Sequence, residues 1–378
     1  MHLVDITMFY PAETGGVRTY LTAKANWLAR HTRIHHTVVV PALREAKGNM
    51  PVLGVPSVPI PYSNGYRMPL SMSMAAYTLR RIQPDLVEAG DPYQFAWTAL
   101  RVKNEINVPA VAFYHSDLPQ LVGQRFGRRA QRAATRYVSH LYRQFDLVLA
   151  PSALMAQRLR NMGIHQVQHQ PLGVDTSVFS PERGNDQLRA RLGLPQNTRL
   201  LMYAGRFTKE KKLPVLIEAV ERLGHPYHLI MVGSGGELSS SAYVTYLPFQ
   251  RDAYQLASLI ASCDLLVHPG DQETFGLVVL EAMACGTPVV GMAAGGVAEL
   301  IGSDTGLLVT PGSASALAEG IKRIYRSDLE WMGANGRRKV LEKYDWNIII
   351  PQLMTRYASL FAVHRRAELE AGAAYAVD

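Results

Sequence analysis

Residues 268–301 read HPGDQETFGLVVLEAMACGTPVVGMAAGGVAELI, and the apolar run DLLV stands just before them. DLLVHPG is a short apolar run closed by Pro and Gly, the pattern of a buried strand. FGLVVLEAMAC has the length and composition of a helix, and TPVVGM is a second strand. Strand, helix and strand in this order form a βαβ unit with its strands parallel. The loop between strand and helix carries the chemistry. A helix start offers unpaired N–H groups and a partial positive charge, which suits a phosphate. Gly276 lets the backbone come close to a ligand, with Thr274, Phe275, Leu277 and Val278 beside it. Glu273 stands at the carboxyl end of the strand, where open α/β sheets bind ligands. Glu281 follows about two helical turns on. It sits among Leu280, Ala282 and Met283, and a carboxylate in apolar surroundings needs a partner such as a pair of ribose hydroxyls. The plainer alternative is a helix cap for Glu273 and a solvent-facing Glu281.

The same alternation extends in both directions. LVDITMF, HTVVVP, DLVEA, VPAVAFY and DLVLAPS read as strands in the first half. RLLMYAG, HLIMVG, VTYLPF, DLLVHPG, TPVVGM and GLLVT do so in the second. Helical patterns fill 16–30, 71–83, 92–106, 153–162, 213–223, 254–262, 276–285 and 314–326. Two such series predict an α/β chain of two doubly wound domains. The length of 378 residues agrees, at about 150 residues per domain. The division falls within HQPLGVDTSVFSPERGND, where periodicity breaks, giving domains 1–172 and 173–349.

Composition narrows the class. Hydrophobic residues are 48% and charged residues 19%, which excludes disorder. Two cysteines exclude a disulfide scaffold and fit a reducing compartment. No apolar run reaches the ~18 residues of a membrane span, and MHLVDITMFY lacks the features of a secretory signal. A cytoplasmic protein is expected. Residues 1–175 hold 19 Lys and Arg against 10 Asp and Glu, so the whole +8 excess lies in the first half. One-sided basic charge points to a polyanionic partner.

Further candidates lie at other strand ends. Arg206 and Lys211 follow RLLMYAG, and two cations there can clamp a diphosphate. Lys209 and Lys212 stand beside them, so a solvated basic loop remains open. VGSGGE places Gly233 at another strand end, but Leu238 breaks a G-x-G-x-x-G fingerprint, which disfavours a Rossmann oxidoreductase. Gly15 and Gly16 follow the first strand and allow backbone contact with phosphate. His115 follows VPAVAFY at the same sheet edge. In LVGQRFGRRAQRAATRYVSHLYRQF (121–145), helical phasing puts Phe126, Ala130, Ala133, Tyr137 and Leu141 on an apolar side. Arg125, Arg128, Arg129, Arg132, Arg136 and Arg143 gather on another. Such a face can meet anionic lipid head groups, at about 1 kcal/mol per basic residue. No H-E-x-x-H, G-x-S-x-G, P-loop or D-x-D motif is present, and Cys263 and Cys285 lack metal-ligand spacing.

TGGVRTYL, FYHSDLP, LAPSALMAQRL, PLGVDTSVFSP, AGRFTKEKK and the 268–301 segment together resemble the retaining GT-B glycosyltransferases of family four, over nearly the whole chain. The two glutamates, with seven residues between them, resemble that family's pair. The basic stretch after His115 is most similar to mannosyl- and sulfoquinovosyl-type members that glycosylate lipids. The resemblance implies two Rossmann-like domains facing across a cleft, with a helix at about 350–378 packing back on the first. The N-terminal domain would be the acceptor side. The C-terminal domain would hold a nucleotide diphosphate sugar. By motif, Arg206 and Lys211 bind the diphosphate, and the amides around Phe275, Gly276, Leu277 and Val278 bind phosphate and sugar. Glu273 takes sugar hydroxyls, Glu281 the ribose, and the base lies near Phe249 and Arg251. Gly15 and Gly16 close on the phosphates, and His115 contacts the sugar. Family members often have Gly where Lys212 stands. The implied reaction retains configuration, needs no metal or other cofactor, and uses the leaving phosphate as base.

The expected function is transfer of a hexose, with mannose from GDP-mannose favoured over UDP-hexoses. The acceptor would be a lipid or glycan at the inner, cytoplasmic face of a membrane, the arginine helix touching the anionic surface. An epimerase or phosphorylase in the same cleft is the nearest alternative. A non-catalytic nucleotide-sugar or RNA-binding module is a further one. A phosphorylase would need a pyridoxal-bearing lysine, for which there is no signature. Nucleic acid is not expected as a partner, since no aromatic-rich recognition motif accompanies the arginines.

Overall fold

The structure is a computed structural model that describes residues 1–10, 15–42, 51–60, 66–236 and 238–375. Thr14 of the first glycine turn and Glu237 of VGSGGE lie outside the described residues. The chain forms two compact units, one of Met1–Pro171 with Ile349–Asp378, the other of Leu172–Ile348.

In the first unit the strands are β1 (His2–Ile6), β2 (His35–Pro41), β3 (Val52–Val55), β4 (Ser57–Pro59), β5 (Arg67–Pro69), β6 (Leu86–Ala89), β7 (Ala110–Phe113), β8 (Leu147–Ala150) and β9 (Val167–His169). Seven of them form a parallel sheet in the order β3-β2-β1-β6-β7-β8-β9, and β4 pairs antiparallel with β5. The edge strands β3 and β9 go beyond the sequence expectation. They are four and three residues long, too short to show a period. Side chains alternate across the sheet. Val4 and Ile6 face a core shared with Ala75, Leu79, Phe95, Leu141 and Leu159 of the helices Met72–Arg81, Gln94–Ile106, Leu118–Tyr142 and Ala153–Asn161. Asp5 points the other way and meets Lys24 of the helix Gly16–His31.

The second unit holds β10 (Arg199–Ala204), β11 (Tyr227–Gly233), β12 (Val244–Pro248), β13 (Leu265–His268), β14 (Val289–Met292) and β15 (Gly306–Val309). All are parallel, in the order β12-β11-β10-β13-β14-β15. All six were legible as apolar runs; the central strands β11, β13 and β14 are buried on both faces and need no alternation. In each unit the order reverses once, between β1 and β6 and between β10 and β13. Ligands of open α/β sheets bind outside the carboxyl ends of strands at such a reversal.

Two helices differ from expectation. Leu118–Tyr142 contains Gly127 at φ 83, ψ 179, outside helical geometry. The helical phase is lost there, so Phe126, expected on the packed side, is 67% exposed. Beyond that glycine Leu141 and the half-buried Tyr137 pack as expected, joined by Val138 and Tyr142, while Ala133 is exposed. Leu329–Lys343 was not anticipated; its Gly333 and Gly336 weaken the helical signal. The final helix spans Trp346–Tyr375. It is tied to the first unit by Arg356, which donates to the Gln170 side chain at 2.8 Å and the His169 carbonyl at 2.9 Å.

Candidate active site

Strands β10 and β13 flank the reversal in the second unit, and their following loops carry the expected cations and carboxylates. After β10 the chain makes a short turn, Lys209–Lys211, and enters the helix Leu213–Leu223. Lys212 joins the two at φ 52, a left-handed conformation. Side chains with a Cβ adopt it at a cost that glycine would not bear. Lys211 Nζ pairs with Glu273 Oε1, and Lys212 Nζ with Asp271 Oδ2. His268, the last residue of β13, places Nε2 3.3 Å from the same Glu273 oxygen. Burial raises the Glu273 pKa. The Lys211 cation and the His268 hydrogen bond outweigh it and hold the carboxyl well below its ordinary range. Glu273 is therefore an anion at neutral pH.

The loop is fixed from behind. Gly296 N–H donates to the Glu273 carbonyl at 2.7 Å. Gly276 caps the helix Leu277–Ala284 at φ 108, and an added Cβ would lie 2.8 Å from Val297 Cγ2. Phe275 is buried, while Thr274, Leu277, Val278 and Glu281 are half-buried. Leu277 and Glu281 are i and i+4, so they share a helix face. Burial pushes the Glu281 pKa up to about 7. That carboxylate is poised to gain from hydrogen-bond donors. Arg206 is exposed, and its carbonyl accepts from Tyr203 Oη at 3.0 Å.

Gly233, a candidate donor contact, is the last residue of β11. Gly233 is buried, and a Cβ there would lie 1.9 Å from the Gly205 carbonyl oxygen. Its side-chain-free position lets the loops after β10 and β11 zip together. Phe207 N–H donates to the Ser234 carbonyl at 2.7 Å, and Gly236 N–H to that of Phe207 at 3.0 Å. Phe207, Ser234, Gly235, Gly236, Leu238 and Tyr246 line an open surface depression of about 400 Å³. Phe249, half-buried, and Arg251, exposed, follow edge strand β12 and are not in its lining.

In the first unit, Gly15 is extended and caps the helix Gly16–His31. Gly16 is exposed. His115, after β7, stacks on Phe113 at 4.2 Å and leans on Tyr20 at 5.4 Å. Burial, with the Lys24 cation nearby, pushes its pKa down to about 3, so the imidazole is neutral. Behind it lies a cluster the sequence did not reveal. Lys24 is wholly buried and donates to Asp5 at 2.7 Å and Tyr20 Oη at 3.0 Å. It lies 3.2 Å from Glu88. His36 pairs with Asp5 at 2.5 Å, and Tyr20 donates to Glu88 at 3.0 Å. Arg125, Arg128, Arg129, Arg132 and Arg136 are all exposed on their helix. Arg143 instead donates to the Gly163 carbonyl at 2.7 Å.

Sequence reading missed His268 and the Gly295–Gly296 turn. The signal for the first was present: a histidine ending an apolar strand five residues before the key glutamate. Among the described residues, no group of three His, Cys, Asp or Glu side chains is placed to hold a metal, and no helix is long and apolar enough to cross a membrane.

Comparisons with known proteins fit this geometry. The family described as "Glycosyltransferase Family 4" matches residues 14–178, and "Glycosyl transferases group 1" matches 184–339. The chain is 30% identical, over 324 residues, to the GDP-mannose-dependent alpha-(1-6)-phosphatidylinositol dimannoside mannosyltransferase of Mycobacterium tuberculosis. That match covers 81% of this chain and 83% of the relative. It is 30% identical over 316 residues to the sulfoquinovosyl transferase of Arabidopsis thaliana, covering 78% of this chain but only 61% of that protein's length. Among solved structures, sucrose-phosphate synthase from Thermosynechococcus elongatus superposes with a TM-score of 0.81 at 24% identity, over 96% of this chain and 100% of that one. The fold is GT-B: two Rossmann-like doubly wound sheets with helices. The chain belongs to the family-four GT-B glycosyltransferases, and its chemistry is transfer of a sugar from a nucleotide sugar.

Proposed function

We propose that the chain is a retaining hexosyltransferase that takes its sugar from a nucleotide diphosphate sugar without a metal ion. The observation that carries this reading is the pair of Lys–carboxylate contacts at the β10/β13 reversal, Lys211–Glu273 and Lys212–Asp271. They set cations and a permanent anion side by side, a few residues from the helix start at Gly276. As the anomeric C–O bond breaks, its electron pair goes to the diphosphate. Arg206, Lys211 and the amides of Gly276–Val278 stabilise that charge. The acceptor oxygen bonds to the same face of the anomeric carbon, and its proton passes to the departing phosphate. Glu273 holds sugar hydroxyls and Glu281 the ribose. Lys211 reaches the phosphates, Lys212 being held at the left-handed joint by Asp271. Gly15, Gly16 and His115 are the first unit's donor contacts, a neutral imidazole serving as hydrogen-bond partner. Phe249 and Arg251 are assigned to the base.

GDP-mannose is the favoured donor and a lipid or glycan the favoured acceptor, on the strength of the mycobacterial relative. The five exposed arginines, with no acid between Asp117 and Asp146, support contact with an anionic membrane at its cytoplasmic face. A thermal-shift screen against GDP, UDP, ADP and their sugars tests the donor. A ligand at 100 times its Kd stabilises by about 2.7 kcal/mol, so one nucleotide is expected to stand out. Response to none of them overturns the reading. Turnover abolished by a chelator and restored by magnesium overturns its metal-free form.

A further inference from the structure

We propose that His268 is a positioning residue that keeps Glu273 aimed when the donor's diphosphate draws Lys211 away. The inference rests on the reading of Lys211 and Glu273 given above. Glu273 Oε1 has two partners, Lys211 Nζ and His268 Nε2, and they differ in kind. Lys211 rides on a flexible stem from a short turn, with its side chain 17% exposed. A diphosphate offers it more negative charge than one carboxylate does, so the ammonium follows the donor. Glu273, 20% exposed, then loses its main counter-charge at the moment it must meet sugar hydroxyls.

His268 does not share that mobility. It ends a buried strand and its side chain is 3% exposed. Gly270 leaves room for the ring: a Cβ there would stand 3.0 Å from His268 Cε1. With Nε2–H donating to Glu273, Nδ1 is left as an acceptor, and that atom is buried with no hydrogen-bond partner among the described residues. Asp271 Oδ1 and Gln272 Oε1, on the same loop, are buried and unpartnered too. More than nine in ten buried polar groups are normally satisfied. Three exceptions within five residues mark a loop whose polar atoms are not arranged for the fold alone. Since the Glu273 carbonyl is already pinned by Gly296, the freedom left to Glu273 is in its side chain. His268 restrains that side chain.

The test compares two amides at this position. His268→Gln carries an N–H to where Nε2 stands, and His268→Asn reaches only as far as Nδ1. Steady-state turnover is measured with GDP-mannose and UDP-glucose, and GDP affinity by calorimetry. Loss of one charge-assisted hydrogen bond predicts a kcat about 10- to 100-fold lower for His268→Asn, with GDP affinity within about twofold. His268→Gln is expected to keep at least about a third of wild-type kcat. A purely structural histidine would not separate the two amides in kcat while sparing GDP binding. Wild-type kcat in His268→Asn, or equal loss in both variants, overturns the proposal. If His268→Asn does not fold, His268→Gln decides alone: a kcat below about a tenth of wild type with unchanged GDP affinity overturns it. The underlying reading fails separately, by wild-type turnover in Glu273→Gln.

Discussion

The two units each place lysine against carboxylates beside the strands that flank their reversal, and the two clusters are built to opposite ends. In the first unit Lys24 is sealed: its ammonium meets Asp5, Glu88 and Tyr20, all nearly inaccessible, and lies 3.5 Å from Tyr357 Oη of the final helix. In the second unit Lys211 and Lys212 lie past the strand ends, partly open to solvent. The same kind of ion pair is thus sealed from any ligand in one unit and open to one in the other. The difference lies in which side of the strand's last residue the charge falls, and not in residue type.

Substitution of the two lysines separates the roles most sharply. Lys24→Met leaves Asp5 and Glu88 buried without their cation, a loss of about 3–5 kcal/mol in urea unfolding. Lys211→Met is expected to change stability by less than about 1 kcal/mol while lowering kcat about 100-fold or more. If both variants lose stability equally, the contrast is false.

The pH response offers a second division. Burial outweighs the Lys24 attraction at Glu88 and pushes its pKa up to about 8. The folded protein then binds a proton there that the unfolded chain gives up near its ordinary 4.5. That contribution is complete below about 4.5 and is lost as pH climbs through about 8. The thermal midpoint should fall over that window, and Glu88→Gln should flatten the slope. At Glu281, burial pushes the pKa to about 7, and a ribose needs the ionised form. Affinity for GDP-mannose, measured by calorimetry, is therefore expected to rise several-fold from pH 6 to pH 8, and Glu281→Gln to abolish the rise.

The smallest effect is expected at the joint between loop and helix. Lys212→Gly relieves a left-handed backbone, worth about 1 kcal/mol, and deletes a partly exposed ion pair worth about as much. Net stability should stay within about 1 kcal/mol, and GDP affinity within about threefold. A larger drop in affinity would move the phosphate contact from Lys211 to Lys212.

The second unit was the more legible in sequence, for a physical reason. Its central strands are buried on both faces, and its loops carry the glycines and charges of the candidate site in contiguous runs. In the first unit the informative residues are scattered. Asp5, Lys24, His36 and Glu88 come from three strands and a helix, and nothing in a single strand of four to seven residues says that a charge points inward to meet others. Phe126 was misplaced because one glycine, Gly127, resets the helical phase. His268 looked like the polar end of a strand, and only its distance to Glu273 gives it a role.

The helix Trp346–Tyr375 has a bearing on how the polypeptide is made. Unit one is assembled from both extremities of the chain, and Tyr357 and Arg356 complete its charged cluster and its β9 edge. A ribosome has therefore produced the entire second unit before the first can be finished. Until then, the Lys24 cluster waits without Tyr357 and the β9 edge without Arg356, a stretch of biosynthesis in which a chaperone has a defined target.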